Sequence, residues 1–150
     1  MRNWLYLAPA ERYADHALLA MRLCVGAFLI WGVMDNIVSQ ERMQEFVDFL
    51  AKFGFPAPDV LAPLSVWVQL LVGLSFVTGW LTRWAGILCI VNFVIAIAMV
   101  DRFGGIRGSF SSLCLVLIGL YMATHGPGRF ALDARFAPRA SRARSLEDEI

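Results

Sequence analysis

The chain has 150 residues, of which 59% are hydrophobic and only 17% charged, with a formal net charge of +1 and a mean hydropathy of +0.63. Soluble domains hold about 45–50% apolar residues, so a bilayer is the natural solvent for this chain and no length remains for a soluble catalytic domain. The small net charge, with no basic stripe interleaved with aromatics, argues against nucleic-acid binding.

At about 1.5 Å rise per residue, roughly 18–21 helical residues cover a hydrocarbon core of about 30 Å. The first span is expected over Ala17 to Val38. It carries Arg22 and Asp35, but everything from Leu23 to Met34 is apolar or Gly, and both charges lie near the ends, where they can snorkel or find a partner. A cleaved signal peptide is disfavoured because Glu11 and Asp15 precede the apolar run and no small-residue cleavage site follows it. The first helix is therefore expected to stay as an anchor.

The loop from Ser39 to Asp59 has a pattern of its own. Met43, Phe46, Val47, Leu50 and Phe53 recur at helical spacing, while Glu41, Glu45, Asp48 and Lys52 take the opposite face. This predicts an amphipathic helix, too short and too charged to span, ending at Gly54 and Pro56 and lying at the membrane surface or capping the bundle.

Three uninterrupted spans follow. Val60 to Trp80, Trp84 to Val100 and Ser109 to His125 contain no Asp, Glu, Lys or Arg. The turn Leu81 to Arg83 is tight enough to make its two helices antiparallel neighbours. In the next connection, Asp101 to Gly108, the residues Gly104, Gly105 and Gly108 are expected to break any helix. The expected fold is all-α, an antiparallel four-helix membrane bundle over 1–133 with one short amphipathic helix between the first two spans. From Arg139 the chain turns Arg- and Ser-rich and then acidic, and 134–150 reads as a disordered tail.

Orientation follows from the cations. One end of the bundle holds Arg2, Arg12, Arg83, Arg129, Arg135, Arg139, Arg142 and Arg144, against Arg42, Lys52, Arg102 and Arg107 on the other. The excess predicts both termini in the cytoplasm.

Polar groups in hydrocarbon are costly unless partnered, so they are the places to look for function. Gln69 and Asn92 come at similar depth in the second and third spans and can bond across the interface, either as interhelical glue or as a polar contact for a quinone, lipid or other small ligand. Arg22 lies about one turn inside the first helix and needs a carboxylate or several carbonyls. Asp133, turned back by the breaker run Gly126-Pro127-Gly128, is a candidate partner. At the far end Asp35, Asp101, Arg102 and Arg107 fall at comparable heights and can form an interfacial network or an entry vestibule. Cys24, Cys89 and Cys114 sit singly in three spans without metal-ligand spacing, and His16 and His125 are too few for a haem-bearing bundle. No nucleophile stands beside a base, so neither metal, haem nor self-contained catalysis is expected.

The run Arg22-Leu23 with Gly26 and Phe28, then Gly54-Phe55-Pro56-Ala57-Pro58, Gln69-Leu70-Leu71-Val72-Gly73, Gly79-Trp80-Leu81-Thr82-Arg83 and Gly126-Pro127-Gly128-Arg129-Phe130-Ala131-Leu132-Asp133 together resemble the DoxX family. The resemblance covers about Leu18 to Asp133. It implies a small four-helix protein of the bacterial inner membrane, in a family that includes the membrane subunit of a thiosulfate:quinone oxidoreductase and members linked to membrane redox or thiol-stress complexes. Where many members carry a Glu in the second span, this chain has Gln69, which cannot exchange a proton. The expected role is a non-catalytic accessory subunit of an electron-transfer or quinone-linked complex. The alternatives are a small-molecule or lipid carrier using Gln69 and Asn92, and a quinone-binding oxidoreductase subunit. The expected partners are the lipid bilayer and either a membrane complex or further copies of the chain.

Overall fold

A computed structural model describes residues 12–136. Its elements are α1 (Ala14–Val38), α2 (Gln40–Lys52), α3 (Pro58–Thr78), α4 (Thr82–Met99), a 3-10 turn (Asp101–Gly104), α5 (Gly105–His125) and the short α6 (Asp133–Phe136). Four helices are long and apolar enough to cross a membrane: α1, α3, α4, and α5 together with its preceding turn. The architecture is the all-α membrane bundle expected from the sequence, with α2 between the first and second spans. The N-terminal segment before residue 12 and the segment 137–150, including most of the expected tail, lie outside the described residues.

The bundle is built from two helical hairpins. The first pairs α1 with α3 and the second pairs α4 with α5, with α3 and α4 joining them. Glycines set both crossings, because helices in lipid gain little from apolar burial and depend on close packing. A Cβ at Gly26 would lie 2.8 Å from the Gly73 carbonyl oxygen, and one at Gly86 would lie 2.6 Å from that of Gly119. The hairpins repeat one another in register. Arg22 and Thr82 each precede their helix's crossing glycine by four residues and are fully buried; Phe76 and Met122 each follow theirs by three and are fully buried. Between the hairpins Leu18, Leu29, Val72, Phe76, Ala85, Cys89, Leu115 and Met122 form a continuous apolar core.

Trp67, Trp80, Trp84 and Tyr121 are all exposed on the outside of the bundle. α2 starts at Ser39, whose hydroxyl accepts from the Arg42 N–H at 3.3 Å, a cap of the usual kind. Its apolar stripe is buried as expected: Val47 and Leu50 pack on Ala62 of α3, flanked by Phe46, Phe55 and Leu61.

Helix boundaries differ from the sequence reading at most ends, and two of the differences have a local cause. The second span ends at Thr78 rather than Trp80, because Gly79 takes the left-handed conformation (φ +74°) and caps the helix. The glycine-rich connection is also shorter than expected. Gly105, at φ +67°, is the first residue of α5, and Gly108 lies inside the helix, where its missing side chain lets Asp101's carbonyl come close. Gly108 therefore serves approach rather than interruption.

Candidate functional site

Helix ends are the difficulty for a bundle in lipid, since each leaves backbone groups without intrahelical partners and bulk water is scarce. At the end of the bundle where α1 begins and α5 finishes, side chains meet this demand. Arg22 rises from α1 and is only 1% exposed. Its Nε donates to the Phe76 carbonyl at 3.0 Å, near the C-terminus of α3, and its Nη1 donates to the Pro127 carbonyl at 2.6 Å. The guanidinium thus ties three parts of the chain together: α1, the end of α3 and the segment that follows α5.

That segment, 126–133, crosses beneath the bundle as a strap. Gly126 (φ +90°) ends α5 and Gly128 (φ +75°) packs on Leu18, a course that side-chain-bearing residues would strain. The Arg129 N–H reaches Asp15 at 3.4 Å, and the Arg129 side chain pairs with the same carboxylate at 3.8 Å. Further along, the Leu132 N–H donates to Thr78 O at 3.3 Å and the Asp133 N–H to Gly79 O at 3.0 Å, so the strap satisfies the last carbonyls of α3. Ala131 is buried against Gly79.

Asp133 lies in this cluster but does not contact Arg22 directly. No Arg22–Asp133 ion pair falls within 4.0 Å. Instead its two carboxylate oxygens accept the Leu81 N–H at 2.9 Å and the Thr82 N–H at 3.1 Å, capping α4 from a distant part of the chain. A carboxylate at a helix N-terminus completes both the free amides and the helix dipole. Arg22 finds carbonyls in its place, the other partner class that a buried guanidinium accepts. Arg83 serves the second hairpin in the same way: its guanidinium donates to the Ala123 and Thr124 carbonyls at 3.2 and 3.1 Å, closing the C-terminus of α5.

The second polar group lies deeper, between α3 and α4. Gln69 and Asn92 are joined through a third residue, Ser65. The Gln69 Nε2 donates to the Ser65 hydroxyl at 3.3 Å, and that hydroxyl donates to the Asn92 Oδ1 at 2.9 Å. All three are half-buried. Sequence reasoning missed Ser65, although it stands one helical turn before Gln69 on the same face, the spacing that would have found it.

The charges at the opposite end do not gather. Asp35 is exposed, Asp101 accepts from the Ser112 hydroxyl, the Arg102 guanidinium lies 4.8 Å from the centre of the Phe103 ring, and Arg107 is exposed. None of the four is ion-paired with another among the described residues. Asp101 and Arg102 each have a nearer partner and Asp35 and Arg107 are exposed, so shared height did not produce a network. The cysteines are separate too: Cys24 exposed, Cys89 buried in the core and Cys114 half-buried. Among the described residues no group of three or more His, Cys, Asp or Glu side chains is placed to hold a metal.

Four apolar helices, glycine-packed in two hairpins and closed by a polar strap, define a multi-pass membrane bundle. Residues 17–102, more than half of the chain, match the DoxX family, and the chain belongs to that family. It is 29% identical over 154 residues to the uncharacterized membrane protein Rv3486 of Mycobacterium tuberculosis, a match that covers 93% of this chain and 91% of the relative. No solved structure matches.

Proposed function

We propose that this DoxX-family protein is a non-catalytic accessory subunit that docks on a larger complex of the bacterial inner membrane, one that handles electrons and quinones. The observation that carries the reading is where the surface lies. Only 28% of the α1 and α3 spans, 22% of α4 and 17% of α5 is buried inside the bundle. The core between the hairpins is filled with side chains, and the buried cation Arg22 is committed to the protein's own carbonyls. Chemistry is thus poorly supported in the interior, while large apolar faces are available to lipid and to neighbouring membrane helices. The quinone link rests on the resemblance to family members that serve such complexes. Gln69, in the position where many members carry Glu, favours a role without proton exchange.

The test is co-purification of the tagged protein from its native membrane in mild detergent. A reproducible larger complex whose assembly or activity falls on deletion of this protein is expected. Unchanged size and activity of every respiratory complex after deletion would end the proposal.

A second reading is favoured by one observation, the half-buried chain Gln69–Ser65–Asn92, in which the Gln69 carbonyl and the Asn92 amide nitrogen still have bonding capacity. A carrier could use that group as its polar site. Replacing both Gln69 and Asn92 by Leu should then abolish transport and leave the bundle folded; transport that survives the double change removes this reading.

A further inference from the structure

Two buried polar atoms border the strap without a partner among the described residues: Arg22 Nη2 and Thr82 Oγ1. Their residues are 1% and 0% exposed. Arg22 Nε and Nη1 each have a carbonyl acceptor, which leaves Nη2, with its two N–H groups, as the one guanidinium nitrogen that has none among the described residues. An unsatisfied donor on a cation is among the costliest groups to bury. Both residues border the contact between Gly79 and Asp133. A Cβ at Gly79 would overlap Arg22 Nη2; the Gly79 carbonyl receives the Asp133 N–H; and the Asp133 carboxylate receives the Thr82 N–H beside the Thr82 hydroxyl.

We propose that one buried water molecule occupies this place, accepting from Arg22 Nη2 and linking it to the Thr82 hydroxyl and the Asp133 carboxylate. The ligand's chemistry follows from the groups around it. An anion would suit Arg22 but be opposed by Asp133, and a metal cation would suit Asp133 but be opposed by Arg22. A neutral molecule that both accepts and donates fits all three, and an interior water typically makes about three hydrogen bonds. The carboxylate can take part without giving up its cap on α4, because each of its oxygens has a second lone pair. The water would couple Arg22 to Asp133 at a separation beyond direct contact. The strap and both hairpins would then close through a single solvent molecule.

The decisive experiment is a crystal structure of the full chain in a lipid phase, at a resolution that shows ordered water. The expected result is a density peak about 2.7–3.2 Å from Arg22 Nη2 and at similar distance from Thr82 Oγ1 or an Asp133 oxygen. Arg22 Nη2 bonded directly to Asp133 or to a carbonyl, with no such peak, would overturn the proposal. A pair of variants gives an independent readout. Thr82→Val removes one leg of the bridge and should lower the Tm by several degrees, whereas Thr82→Ser keeps the hydroxyl and should stay near the parent. A Ser variant as unstable as the Val variant, or a Val variant equal to the parent, counts against the water.

Discussion

Gly26 of α1 and Gly73 of α3 face each other across the first hairpin so closely that a Cβ on either would stand within 2.9 Å of the other's carbonyl oxygen. The second hairpin repeats the arrangement with Gly86 and Gly119, at 2.6 and 2.9 Å. Backbone oxygens cannot step aside as the end of a flexible side chain can, so a methyl group here must push the helices apart. Gly73→Ala and Gly119→Ala should each cost about 1–3 kcal/mol, the range of overpacked sites. Gly32, on the exposed face of α1 with nothing within 4 Å, is the control. Gly32→Ala should be neutral or slightly stabilising through helix propensity. Thermal unfolding in detergent compares them, and equal losses at Gly32 and Gly73 would show that the crossing is not the cause.

Arg22 holds the strap by reaching two carbonyls from a buried position. Arg22→Leu keeps an apolar stem but leaves the Phe76 and Pro127 oxygens unbonded, a loss of about 3–6 kcal/mol for two bonds to a charged donor. Arg22→Lys should not restore the parent, since one ammonium cannot reproduce the spread of the guanidinium fork. The local readout is trypsin cleavage after Arg129 in the strap, which should be faster in both variants. Cleavage at the parent rate in Arg22→Leu would mean that the strap is held by other contacts.

Asp133 tests a different link, the capping of α4 by a residue 52 positions from Leu81 in the chain. Asp133→Ala should cost about 1 kcal/mol, as loss of a helix cap does. Asp133→Asn keeps an acceptor for one of the two amides and should cost less. Amide hydrogen exchange at Leu81 and Thr82 reports the cap itself, and protection unchanged in Asp133→Ala would refute it.

These contacts show which parts of the molecule could be read in the chain. The spans were legible because long apolar runs have one physical solution in a bilayer, helices with all backbone bonds made internally. α2 was legible for a similar reason, since Met43, Phe46, Val47, Leu50 and Phe53 define one face whatever they pack against. That Arg22, Gln69 and Asn92 need partners was also visible, because polar groups in such runs demand them. Which partners they take was not. Asp133 chose the amides of Leu81 and Thr82 over Arg22, and Ser65 came between Gln69 and Asn92; both outcomes depend on how the hairpins sit in space. Gly108 misled for the same reason: from sequence a glycine reads equally as a helix breaker or as a place where another backbone comes close.

α2 offers a test in which one element should loosen without the rest. It leans on the bundle through Val47 and Leu50, which are 7% and 5% exposed and pack on Ala62 of α3. A separate row of rings runs along its edge, with the exposed Phe49 4.9 Å from the half-buried Phe53 and Phe53 5.9 Å from Phe103 between ring centres. Leu50→Ala removes a buried side chain where α2 meets α3 and should cost about 2–3 kcal/mol, the lower part of the range for core truncations. Phe49→Ala, at a residue 40% exposed, should cost clearly less. The four spans do not depend on α2 for their glycine crossings or their strap, so the loss should be local. Hydrogen exchange in Leu50→Ala should rise across 40–52 while α3 beyond Val66 and the whole of α4 and α5 keep their protection. A uniform loss of protection through all four spans would show instead that α2 is a structural part of the bundle and not a lid upon it.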